Sequence, residues 1–152
     1  MLLDYATTLK EPEDLSINPM GKVPAICHGD IVVTETAAIC AYLADIFTNA
    51  GLAPAPGSPL RGPYYRWLFF TAGPVEAAVS NQALGFVVPE GCERMIGYGT
   101  YEQTLDVLED AVSQGEYLWG DMFSAADIYT GSYLGFAMQT GGIEKRSAFG
   151  AY

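Results

Sequence analysis

The chain has 152 residues, 50% hydrophobic and only 16% charged, with a net charge of -11 from 18 acidic and 7 basic residues. That balance describes a packed globule and argues against disorder, and with no basic stripe to neutralise phosphates it argues against nucleic acid and anionic membranes as partners. Three cysteines, Cys27, Cys40 and Cys92, form no disulfide framework, and no apolar run approaches the ~18 residues of a membrane span, so the expected compartment is cytoplasmic.

Leu2 to Leu9 reads as a strand or its remnant, and Lys10-Glu11-Pro12-Glu13-Asp14 as a polar breaker. Asn18-Pro19 and Gly21 are turn chemistry. Val23 to Cys27 is a short apolar strand, with Pro24 near its start unable to donate a ladder hydrogen bond. His28-Gly29-Asp30 signals a hairpin turn, and Ile31-Val32-Val33 the return strand. Thr34-Glu35-Thr36 offers capping side chains to a helix with Ile39, Tyr42, Leu43, Ile46 and Phe47 at helical spacing, and Cys40 is a core position. The free N–H groups at that helix start suit a carboxylate or phosphate. From the residues alone, two readings stand: an ordinary hairpin with a core helix, or a strand with open backbone groups beside an anion-binding helix start.

Thr48 to Leu52 is a stop signal, and the Pro/Ala/Gly linker Ala53 to Ser58 marks a domain boundary. Ser58 as N-cap and Pro59 at the first helical position open a helix through Tyr64, Tyr65, Arg66, Trp67 and Phe69. Gly73-Pro74 is expected to kink or break it near Thr71, with helix resuming from Val75 to Leu84. Pro89-Glu90-Gly91 is a turn. A second helix starts at Gly99 or Thr100, buries Leu105, Leu108 and Val112, turns Glu102, Asp106, Glu109 and Asp110 to water, and ends at Gly115. Tyr117 to Gly120 is a short extended crossing. Ser124-Ala-Ala-Asp127 is a capping box opening a helix through Ile128, Tyr129, Leu134 and Phe136, on which Gly131 and Gly135 offer a close approach to another helix. Glu144 to Tyr152 opens one more helix.

The run Asn18-Pro-Met-Gly-Lys-Val-Pro-Ala25, the Gly29-Asp30 turn, Thr34-Glu-Thr-Ala-Ala-Ile39 and Tyr42-Leu43 closely resemble the glutathione-binding half of cytosolic glutathione S-transferases. The aromatic-glycine crossing and Phe123-Ser-Ala-Ala-Asp-Ile128 resemble the family's helical half. The resemblance implies an α/β plus all-α fold. Residues 1-52 would form a partial thioredoxin-like domain lacking the family's first strand and helix, 53-58 a linker, and 59-152 an all-helical domain short at its end. Without that first strand, Leu2 to Leu9 is expected either to pair directly with the Val23 strand or to leave the hairpin as a two-stranded remnant.

By the same resemblance, Glu35 and Thr36 bind the γ-glutamyl end of glutathione, the acid attracting the ammonium and the hydroxyl holding the carboxylate. Thr36 stands where the family most often has serine. Val23 pairs its backbone with the cysteinyl part, helped by a cis Pro24, and Lys22 is either a partner for the glycyl carboxylate or a solvated lysine. Tyr64, Tyr65, Arg66 and Trp67 belong either to the core or to the second-substrate pocket and dimer interface. Ser124 and Asp127 are structural caps, each worth about 1 kcal/mol. No metal-ligand spacing is present, and His28 is a surface residue. The family's thiol-activating residue follows its first strand, so no catalytic residue is assigned; Tyr5 lies on the wrong strand. The implied function is conjugation of glutathione, as co-substrate and not cofactor, to electrophilic small molecules by a homodimer, with weak or absent activity in this chain. A non-catalytic glutathione-binding or protein-interaction module, or a gene fragment without independent function, are the other readings.

Overall fold

The computed structural model describes residues 10–152, so the expected strand Leu2 to Leu9 and Tyr5 lie outside the described residues. The first element is a helix, α1 (Pro12–Ile17), where the sequence suggests a breaker. Pro12 sits at its first turn, where a missing N–H costs nothing, and Glu13 and Asp14 complement the helix dipole. Two strands follow, β1 (Ala25–His28) and β2 (Ile31–Thr34), antiparallel with Ala25 opposite Thr34 and His28 opposite Ile31. Gly29, at φ 59°, is the first residue of the two-residue turn between them, a conformation that glycine adopts without strain. Among the described residues this hairpin is the whole sheet.

Helix α2 (Thr36–Ile46) follows directly. Its buried residues are Ala37, Ile39 and Ala44, while Leu43, Ile46 and Phe47, expected on the core face, are exposed. The expected cap also differs, because no side chain caps this helix start. Gly51 ends the segment in the left-handed conformation.

The helical half begins with α3 (Arg61–Phe70), three residues after Ser58. Ser58 is not its N-cap. Its hydroxyl accepts from Leu60 N–H at 3.3 Å in a preceding turn that also contains Pro59. At Gly73-Pro74 the helix does not stop. A π turn, Thr71–Val75, absorbs the proline and leads into α4 (Glu76–Ala83). Helix α5 (Tyr101–Ser113) is capped by Thr100, whose hydroxyl accepts from Gln103 N–H. Tyr117 and Gly120 then exchange backbone hydrogen bonds, so this stretch folds back on itself instead of crossing extended. Helix α6 (Ala125–Thr140) and the short α7 (Ser147–Ala151) complete the chain.

Helix α6 is the centre, packed on α2, α3 and the π turn, while α5 packs on α4, the π turn and α7. Tyr64, Leu68, Val75, Leu105, Leu108 and Leu134 are fully buried where these helices meet. Inside this core the Thr71 and Thr130 hydroxyls share a hydrogen bond of 2.8 Å, satisfying both at the contact of π turn and α6. Gly135 has open space around it and Gly131 borders Tyr152 at the chain end, so neither is a helix-crossing point.

The Ser124–Asp127 capping box is present and reaches further than a cap. Asp127 Oδ2 accepts from Ser124 N–H at 2.8 Å and from the Ser124 hydroxyl at 2.6 Å. Its Oδ1 accepts from Leu118 N–H and from the Tyr152 hydroxyl, each at 2.8 Å. Ala125 N–H donates to Leu52 O, tying this helix start to the segment after α2. Arg61 makes a second tie, bonding Asp45, Pro54 O and the Tyr65 hydroxyl. Arg146 links Asp106 and Glu109 of α5 to the start of α7, so Glu109 is half-buried rather than turned to water.

Candidate functional site

Local chemistry shapes the loop before β1. The Asn18 side chain is buried; its amide donates to Lys22 O at 2.8 Å and its carbonyl accepts from Met20 N–H at 3.1 Å. This holds residues 18 to 22 as a turn and delivers Val23 to the mouth of a cavity. The Val23-Pro24 bond is cis, as the family resemblance implies. Because β1 starts only at Ala25, the Val23 N–H and C=O have no backbone partner among the described residues.

Across from Val23, the chain turns from β2 into α2 at Glu35. Glu35 has φ 68° and ψ 121°, a conformation that is strained for a residue with a Cβ. Its carbonyl accepts the first bond of the helix, from Ile39 N–H at 2.9 Å. The N–H groups of Thr36, Ala37 and Ala38 are left without helical acceptors, and no side chain fills that role. The start of α2 is therefore an open set of donors with the Thr36 hydroxyl and Glu35 carboxylate beside it.

Lys22, Val23, Pro24, Glu35 and Thr36 line one cavity of about 280 Å³. Three residues that the sequence pattern does not single out for the site, Ala72, Glu76 and Tyr129, close its far wall from the helical half. The mid-helix Gly73-Pro74 is the available signal for Glu76, since a π turn often marks a functional site; nothing local marks Tyr129. Burial first, and then the neighbouring acidic groups Glu76, Cys40 and Glu35, push the Tyr129 phenol up to about 12. An adjoining, more apolar cavity of about 520 Å³ shares Val23, Thr36, Glu76 and Tyr129 and runs on past Val79, Tyr133 and Phe136.

The aromatic stripe of α3 lies elsewhere. Tyr64 is fully buried in the core, so it lines no open pocket; burial pushes its phenol up to about 12. Tyr65 stacks on it and bonds Arg61. Arg66 lies over the Trp67 ring at 4.4 Å, and both border a separate groove of about 550 Å³ between α3 and α5. None of the four lines the cavity of Glu35, and Tyr64 and Trp67 are buried in the core, one of the two places expected for this stripe. Burial raises the Cys40 thiol pKa, and Cys27 is exposed on the hairpin. His28 is exposed and its Nδ1 shares a hydrogen bond with the Tyr42 hydroxyl at 2.8 Å.

A thioredoxin-like hairpin and helix set against an all-helical unit, with an open helix start at their junction, is the architecture of the glutathione transferases. Residues 3–45 match the family described as glutathione S-transferase, N-terminal domain. One glutathione S-transferase of Arabidopsis thaliana is 32% identical over 134 residues, covering 78% of this chain and 59% of that protein. A second from Arabidopsis thaliana is 31% identical over 147 residues, covering 90% of this chain and 66% of that protein. The structure is also similar to the glutathione transferase URE2P6 of Phanerochaete chrysosporium in complex with oxidised glutathione. That likeness has a TM-score of 0.75 and 28% identity, and covers 99% of this chain and 73% of that one. The chain belongs to the glutathione S-transferase family, and spans less than two thirds of the length of these curated relatives.

Proposed function

We propose that the cavity at the start of α2 binds glutathione, and that the protein takes part in its family's reaction, conjugation of the glutathione thiol to electrophilic small molecules. The carrying observation is the convergence of Val23, Glu35 and Thr36 on one cavity beside the open N–H groups of α2. The Val23 backbone suits an extended peptide added alongside the hairpin. Glu35 suits the ligand's ammonium, the Thr36 hydroxyl and helix N–H groups its α-carboxylate, and Lys22 the carboxylate at its other end. The adjoining apolar cavity suits the electrophile.

Binding and turnover are separable in this reading. Among the described residues lining the cavity, Thr36 and Tyr129 carry the hydroxyls and no cysteine is present. A thiol must be brought toward thiolate by a hydrogen-bond donor or exchanged with a cysteine. The same observation favours a second reading, a glutathione-binding module with little or no turnover. Exposed Leu43, Ile46 and Phe47 on α2 support a homodimer as the assembly. The location in this proposal is cytoplasmic. Among the described residues no helix is long and apolar enough to cross a membrane.

Calorimetric titration of the 152-residue chain with glutathione tests the binding. Glu35→Ala is expected to weaken it about tenfold, the value of one charge-assisted contact. Absence of binding by the unaltered chain refutes the proposal. A parallel conjugation assay with an aromatic halide separates the two readings: robust turnover excludes the binding module, and binding without turnover excludes the enzyme.

A further inference from the structure

Both tryptophans of the chain, Trp67 and Trp119, border the groove of about 550 Å³ between α3 and α5. That is the size of a small-molecule site. The groove shares no lining residue with the cavity of Glu35 or with the apolar cavity beside it. What it takes up is therefore a separate question from glutathione.

Aromatic ring surface is the first thing the groove offers. Trp119 is half-buried, and its indole N–H is already donated to Ser124 Oγ at 3.2 Å. It presents a ligand with ring and no free donor. The face of an indole is electron-rich and attracts cations. The fold itself uses that preference, because the Arg66 guanidinium lies over the Trp67 ring at 4.4 Å. Arg61 and Arg146 each hold a carboxylate, whereas among the described residues Arg66 makes no ion pair. The ring, and not an acid, is the partner of Arg66.

Charge is the second and independent feature. Asp106 and Asp110 stand one turn apart on α5 and both border the groove. Asp106 gives one oxygen to Arg146. Asp110 accepts from Gln114 Nε2 at 2.8 Å and meets no cation among the described residues. The net charge of -11 adds a field that draws cations toward the protein. A neutral aromatic ligand gains ring contact alone. An aromatic anion meets one guanidinium but also two carboxylates. A planar aromatic cation gains from both features, with its ring against indole and its charge beside Asp110.

We propose that the groove between α3 and α5 is a second ligand site, for planar aromatic cations. Trp67 and Trp119 are its platform, and Asp106 and Asp110 supply the counter-charge. Arg66 is a built-in competitor, since it holds its own cation over a ring that the ligand uses.

The test is calorimetry on the full chain with three two-ring probes, N-methylquinolinium, uncharged quinoline and 2-naphthoate, with tryptophan fluorescence followed in parallel. N-methylquinolinium is expected to bind saturably and to quench, with quinoline about fivefold weaker and 2-naphthoate weaker again. Asp110→Asn is expected to weaken the cation about three- to tenfold, and Arg66→Ala to tighten it about threefold. Glu102→Gln removes the same charge from α5 outside the groove and is expected to change binding by less than about twofold, which separates local contact from net charge. All three side chains are exposed, so the variants keep the fold. The site is overturned if N-methylquinolinium shows no saturable binding up to about 1 mM, or if 2-naphthoate binds as tightly. Equal weakening by Asp110→Asn and Glu102→Gln, or displacement of the cation by glutathione, also overturns it. Arg66→Ala that leaves the cation unchanged or weaker overturns the role of Arg66.

Discussion

Replacing Asp127 by alanine should destabilise the protein far more than removing an ordinary helix cap. A cap alone is worth about 1 kcal/mol. Asp127 is 4% exposed and accepts four hydrogen bonds, from Ser124 N–H, the Ser124 hydroxyl, Leu118 N–H and the Tyr152 hydroxyl. Each donor left unpaired in the interior costs about 1–3 kcal/mol, partly recovered by water entering the gap. The Ser124 hydroxyl can rotate, and Tyr152 is only half-buried and can reach solvent. That leaves the Leu118 and Ser124 N–H groups, together with the cap, for an expected loss of roughly 3–5 kcal/mol. Against a usual total of about 5–15 kcal/mol, this is a large fraction of the stability. The assay is urea unfolding followed by tryptophan fluorescence, with Trp119 a local reporter because its indole N–H donates to Ser124 Oγ. With a slope of about 2 kcal/mol per molar, the midpoint falls by about 2 M. Asp127→Asn keeps one accepting oxygen and should lose about half as much. A midpoint shift under 0.5 M (about 1 kcal/mol) for Asp127→Ala would refute the reasoning and return the residue to the status of a simple cap.

Thr71→Val leaves the Thr130 hydroxyl buried without its 2.8 Å partner and should cost about 1–2 kcal/mol in the same assay. The double variant with Thr130→Val should cost less than the sum of the two singles, since no unpaired hydroxyl remains; strict additivity is the contrary result. Alkaline titration gives a third check. Tyr64 and Tyr129 have folded pKa values raised to about 12, so the folded state keeps protons that the unfolded chain releases near 10. Their contribution is fully present below pH 10 and is lost as pH rises through 12. Phenolate absorbance at increasing pH should show these two tyrosines ionising only as the protein unfolds, whereas ionisation near pH 10 in the folded state would contradict their burial.

Features governed by neighbours along the chain are legible in the amino-acid sequence alone. The hairpin turn at Gly29-Asp30, the capping box at Ser124 and Asp127, and the buried stripe of Leu105, Leu108 and Val112 depend on residues within a few positions. The irregularity at Gly73-Pro74 falls where the sequence puts it, but its form as a π turn does not follow from it, since neighbouring helices decide whether a proline breaks a helix or is absorbed. Pro12 reads as a breaker yet opens α1, because the same residue ends one helix and begins another. Leu43, Ile46 and Phe47 follow helical spacing yet are exposed, because periodicity identifies an apolar face without naming what covers it.

The candidate site divides along the same line. Its near wall, from Lys22 to Thr36, is one continuous stretch whose turns, proline and helix start are written in consecutive residues. Its far wall is not, for Glu76 and Tyr129 reach the cavity only after α4 and α6 pack into the helical core. A donor-rich helix start is a local property of the backbone. The meeting of two carboxylates and a phenol across it depends on long-range burial, to which local sequence rules are blind.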